Sequence, residues 1–129
     1  MPVRSLTSSV LTWPDAATVA QAMRAWAERA ATRRPEVLRV GYFGSYARGD
    51  WGVGSDADII VVLDHADEPF ERRGSAWDTT ELPVPAELLV YTEDEWERLG
   101  REGGRFFATV MREAVWVYDR NRLAAMPRR

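Results

Sequence analysis

Asp56 and Asp58 stand two residues apart at the head of the run Ala57-Asp58-Ile59-Ile60-Val61-Val62-Leu63. On a strand side chains alternate between faces, so both carboxylates project from one face, roughly 6 to 7 Å apart. Two like charges that close repel unless a cation sits between them or one takes up a proton. A divalent cation resolves the repulsion most economically. An all-oxygen donor set selects a hard ion, so Mg²⁺ is expected, with Mn²⁺ as the usual substitute.

Upstream lies Phe43-Gly44-Ser45-Tyr46-Ala47-Arg48-Gly49. Gly44 lets the backbone approach a ligand closely, and Ser45 offers a hydroxyl. Amides at the start of a following helix point their positive ends at an anion. A nucleoside triphosphate carrying Mg²⁺ suits both halves. Glu87, in Pro85-Ala86-Glu87-Leu88-Leu89-Val90-Tyr91, is a third acidic group entering an otherwise apolar run. It reads either as a ligand for a second metal or a proton acceptor for an attacking hydroxyl, or as an edge-strand charge facing water.

Composition removes several alternatives. The chain has 129 residues, 46% hydrophobic and 29% charged, as in one ordinary globular domain spanning 1–129. A net charge of -3 argues against stable bulk binding of nucleic acid, which needs a clustered basic excess. All 17 basic residues are arginine, so no lysine nucleophile and no P-loop lysine exist. There is no cysteine, which excludes thiolate chemistry and disulfides. No run is long and apolar enough for a signal peptide or a bilayer span, and the expected location is cytoplasmic.

The elements that must position these groups follow in order. Residues 1–11 carry little pattern and are expected to be loosely ordered, with an extended segment near Val10 and Leu11. Thr12 suits a helix cap, with Pro14 and Asp15 in the first turn of a helix to about Ala31. Val19, Met23, Trp26, Ala27 and Ala30 recur at steps of three and four and form its core face. Arg33-Arg34-Pro35 ends it. Val37 to Phe43 reads as a strand, Ser45 to Arg48 as a short helix, and Gly49, Gly52 and Gly54 as marks of a loop before the strand Ala57 to Leu63. A short helix within Pro69 to Trp77 precedes a third strand, Ala86 to Tyr91. Thr92 with Glu95 makes a capping box for a helix from Glu93 to Leu99. A helix over Arg105 to Arg112 and a strand over Ala114 to Tyr118 follow, and 119–129 is expected to fray. The class is α+β, a small mixed sheet with helices packed on one face.

The combination of Gly44-Ser45, ten intervening residues and Asp56-Ala57-Asp58, with Ala47-Arg48-Gly49 and Ser55 between, resembles the signature of the DNA polymerase β-like nucleotidyltransferase superfamily. The likeness is greatest to its minimal nucleotidyltransferase (MNT-type) domains and extends from the first helix to about Tyr118. The resemblance implies a nucleotidyltransferase fold, two Mg²⁺ ions, and transfer of a nucleoside monophosphate, AMP from ATP, to a hydroxyl with release of pyrophosphate. It implies that Gly44 and Ser45 hold the triphosphate and that Asp56 and Asp58 hold metal. Arg48 and Ser55 fall within the nucleotide-binding motif, Arg48 as a phosphate contact or as a structural tie to a carboxylate. The family's third acid is usually Asp, and Glu87 stands in its place.

Small-molecule modifiers of this superfamily usually carry an additional helical domain that forms the acceptor site, and 129 residues leave no room for one, so the acceptor is expected to come with a partner. Minimal members often accompany a helical HEPN-type protein as the antitoxin of a toxin-antitoxin pair, which makes such a protein the implied partner. The competing reading is a nucleotide-binding module, weak or inactive in catalysis, that acts by covering a partner. A metal-dependent phosphohydrolase is a more distant alternative. Trp51 reads as a base-stacking ring or as a lid over the core. His65, in a polar turn, reads as solvated, and Asp50 as a loop charge.

Overall fold

The computed structural model describes residues 13–125, with side chains described through Arg122. The proposed cap at Thr12, the segment around Val10 and Leu11, and residues 126–129 lie outside that range. In order, the elements are α1 (Ala16–Arg33), β1 (Val37–Phe43), α2 (Ser45–Arg48), β2 (Ala57–Leu63), α3 (Phe70–Arg73) running into a 3-10 turn (Gly74–Ala76), β3 (Ala86–Thr92), α4 (Glu93–Glu102), α5 (Arg105–Glu113), β4 (Val115–Asp119) and α6 (Arg120–Ala125).

The four strands form one mixed sheet in the order β3-β2-β1-β4. β1 runs antiparallel to both β2 and β4, whereas β2 and β3 are parallel. β2 lies inside the sheet and is covered on both faces, which is why Ile59-Ile60-Val61-Val62 is a continuous apolar run rather than an alternating one. The α+β class and the mixed sheet follow the expectation from sequence. Helices on one face do not. α1 packs its buried stripe against Val40, Tyr42, Ile59 and Val61, while Trp96 of α4 and Val110 of α5 cover Leu38, Ile60 and Val62 on the opposite face. The unbroken apolar run of β2 requires cover on both sides, and α4 and α5 provide the second layer.

Local signals set most helix ends. Asp15 caps α1, its Oδ1 accepting from the Thr18 amide at 2.8 Å, which holds its carboxyl below the usual range. The helix therefore starts at Ala16, after Pro14 and Asp15 rather than with them. Thr92 and Glu95 form the reciprocal capping box of α4. From Asp119 to Ala125 the chain forms regular elements where fraying was expected: Asp119 closes β4, and its Oδ1 accepts from the amides of Asn121 and Arg122 to open α6. Arg120 donates to the carbonyl of Pro35 at 3.0 Å, fastening α6 beside the start of β1. Among the described residues no helix is long and apolar enough to cross a membrane.

Candidate active site

The groups singled out from sequence meet at one end of the sheet, where β1 finishes and β2 and β3 begin. Phe43, the last residue of β1, pairs with Asp58, and Asp58 pairs in turn with Glu87 of β3. Adjacent strands lie about 4.8 Å apart, and residues in register share a face. Asp58 and Glu87 are therefore neighbours on the α4/α5 side of the sheet. Asp56 lies exposed in the loop two residues earlier, Asp58 is half-buried and Glu87 is exposed.

Gly44 is buried directly against this group. Its φ of 82° and ψ of -152° belong to a region essentially reserved for glycine, and a Cβ built on it would collide with Oδ2 of Asp58. The conformation and the close approach both require glycine here. Ser45 opens α2, and helix geometry leaves its amide and that of Tyr46 without intrahelical acceptors. Tyr46 anchors the helix: it is buried, its hydroxyl donates to the Pro14 carbonyl at 3.2 Å and accepts from the Trp13 indole N–H at 2.8 Å. Trp51 lies nearly parallel to the Tyr46 ring, centroids 5.6 Å apart. The ring is thus packed as a lid on Tyr46.

Arg48 is tied to carboxylates, its Nε donating to Asp50 at 3.0 Å and its Nη1 to Glu113 at 3.2 Å. The Ser55 hydroxyl accepts from the Gly52 amide at 2.8 Å, and the Ser55 amide donates to the Gly52 carbonyl at 3.0 Å. Ser55 thereby closes the loop that delivers the chain to Asp56. His65 is exposed, as its polar turn suggests, with Asp64 4.0 Å away.

Electrostatics single out Asp58. Burial pushes its carboxyl above the usual range, Glu87 and then Asp56 push it further, and Arg48 opposes the rise. Among the described residues no hydrogen-bond donor meets the side chain of Asp56, Asp58 or Glu87. Arg48 is engaged elsewhere. The three carboxylates suit a hard divalent ion in donor type. The set is not closed around one point: among the described residues no three His, Cys, Asp or Glu side chains are gathered tightly enough to hold an ion by themselves. Substrate phosphate oxygens complete such coordination in many Mg²⁺ sites.

Glu113 escaped the sequence reading. It lies 65 residues from Arg48 and no periodicity links the two. It reaches the site because the Phe106 ring meets Phe43 edge-on at 5.9 Å, which lays α5 over the end of β1. Asp50, taken from sequence as a loop charge, is the other half of the clamp.

The nucleotidyltransferase domain model matches residues 23–112. Among solved structures, the crystal structure of a candidate nucleotidyltransferase from Sulfolobus solfataricus aligns over 82% of this chain and 85% of its own with a TM-score of 0.59 at 21% identity, a likeness of fold. A toxin-antitoxin structure with AMP-PNP aligns at 16% identity and a TM-score of 0.47, covering 77% of this chain and 75% of that one. A variant of the MntA-HpeT toxin-antitoxin aligns at 16% identity and 0.48, covering 74% and 72%. No curated protein gives a significant sequence match. The family model spans most of the chain, including β1, α2, β2 and β3 with Asp56, Asp58 and Glu87, and the chain belongs to the nucleotidyltransferase domain family.

Proposed function

We propose that this protein transfers a nucleoside monophosphate, AMP from ATP, to a hydroxyl group carried by a partner protein. The observation that carries the reading is the alignment of Asp58 with Glu87 across β2 and β3, with Gly44 packed onto Asp58. It sets acidic groups beside a turn whose backbone is free to meet phosphate.

Asp56 and Asp58 would hold Mg²⁺, with Glu87 as the third acidic group and Mn²⁺ as substitute; two ions are the family expectation. Bound there, the ion supplies charge neutralisation for the triphosphate and the leaving pyrophosphate. The Gly44–Ser45 backbone and the Ser45 hydroxyl orient the triphosphate. The acceptor oxygen forms a bond to the α-phosphorus as the bond from that phosphorus to the bridging β-oxygen breaks. Pyrophosphate departs with the electron pair. The hydroxyl proton passes to Glu87, whose exposure leaves it accessible to an acceptor arriving from outside. An HEPN-type helical protein is the proposed carrier of the acceptor.

The test uses α-labelled ATP with Mg²⁺, in the presence and absence of the neighbouring gene product. The wild type is expected to label the partner, and Asp58→Asn to lose the label by about 100-fold or more. Label transfer that survives Asp58→Asn removes the acid site from the mechanism. A second reading, a nucleotide-binding module without turnover, is favoured by the exposure of Glu87 and by the open arrangement of the acids. ATP binding without transfer to any acceptor selects it.

A further inference from the structure

We propose that Glu113, the last residue of α5, is a positioning residue that holds the Arg48 guanidinium ready for the triphosphate. This inference rests on the nucleotide-handling reading above and deepens it. Arg48 follows the Gly44–Ser45 turn by less than one helical turn and is half open to solvent, with 45% of its side chain exposed. Left to itself, such a side chain samples many rotamers. Here two carboxylates hold it from different sides: Asp50 takes Nε at 3.0 Å from the loop, and Glu113 takes Nη1 at 3.2 Å from α5.

The two anchors differ in kind. Asp50 is exposed and only two residues away, in the loop that follows α2. Glu113 is 85% shielded at its side chain and sits at the end of a helix fixed by Phe106 and Val110 in the sheet-facing core. Its second carboxylate oxygen faces Arg112 only at 3.9 Å, so Arg48 is its main partner. Of the five N–H donors of a guanidinium, the clamp uses one on Nε and one on Nη1. Among the described residues, both hydrogens of Nη2 and one of Nη1 have no partner. Arg48 is thus a cation held at the end of the short helix that opens from the Gly44–Ser45 turn, with donors to spare, a geometry suited to phosphate oxygens.

The experiment is a double-mutant cycle on the full chain, with equilibrium binding of ATP in Mg²⁺ and thermal unfolding as parallel readouts. Arg48→Ala and Glu113→Ala are each expected to weaken ATP binding about three- to tenfold. Glu113→Gln, which keeps an acceptor oxygen, is expected to retain most of the affinity. The decisive outcome is that Glu113→Ala adds no further loss to Arg48→Ala, because both remove one arrangement. Losses that multiply, or a Glu113→Ala protein that binds ATP like the wild type while Arg48→Ala does not, overturn the positioning role and leave the nucleotide site standing. A wild-type protein that does not bind ATP overturns both.

Discussion

Arg73 and Glu95 form a bidentate ion pair at the β3 edge of the sheet, Nη1 to Oε1 at 2.6 Å and Nη2 to Oε2 at 3.1 Å. Arg73 is the one buried charged residue among those described, 6% exposed, and also donates to the carbonyls of Glu68 and Val90. Glu95 accepts from the Thr92 amide as well, so one carboxylate both caps α4 and neutralises the arginine that fastens α3 to β3. The local capping box and a contact across 22 residues share the same atoms.

Glu95→Ala is therefore expected to destabilise the fold by about 2–3 kcal/mol, below the usual cost of breaking a buried pair because Glu95 is partly open to water. The Arg73 hydrogen bonds hold the Glu95 carboxyl below its ordinary value of 4.5. A depressed folded-state pKa contributes stability that is complete above the unfolded value and lost as pH falls through the folded one. Urea unfolding of the wild type should weaken below about pH 4.5, and Glu95→Gln should flatten that part of the profile. An unchanged acid limb in Glu95→Gln would remove this pair from the acid response.

Gly44→Ala tests the junction of turn and acid. The substitution combines a backbone region closed to alanine with a collision against Asp58 Oδ2. A loss of about 1–3 kcal/mol in stability is expected from the backbone alone. ATP binding should fall with it, since Gly44 and Asp58 are displaced together. Thermal unfolding and equilibrium ATP binding read the two effects. A variant of wild-type stability and affinity would show that the close approach is unnecessary.

Asp58→Asn should separate function from stability. The Asp58 carboxyl is pushed above the usual range by burial and by Glu87 and Asp56, so its ionised form disfavours the metal-free fold. A raised folded-state pKa in an acid places that penalty at high pH: it is full above the folded value and absent below the unfolded one. The metal-free variant should melt higher than the wild type at neutral pH, with the gain disappearing below about pH 3.8. A lower melting temperature at pH 7 would contradict the crowding of the three carboxylates. The same substitution is expected to abolish transfer, the trade-off of a functional site built from repelling groups.

What the sequence determined by itself is what local chemistry specifies. The apolar run from Ile59 to Val62, the glycine-serine turn and the Thr92–Glu95 box each act within a few residues, and the strands, α2 and the start of α4 lie where these signals place them. Strand alternation was expected to set Asp56 and Asp58 on one face, but β2 begins at Ala57 and Asp56 lies in the loop before it, so alternation governs Asp58 alone. The rest depended on which elements met. The register that sets Glu87 beside Asp58 comes from parallel pairing of β2 with β3, across the whole α3 insertion. The second helical layer arose because β2 is apolar on both faces and α4 and α5 were available to cover it. Glu113 reached Arg48, and Arg73 reached Glu95, only through that packing. A carboxylate and a guanidinium distant in the chain carry no mutual pattern in sequence; the folded core brings them within hydrogen-bond range and so selects the pair.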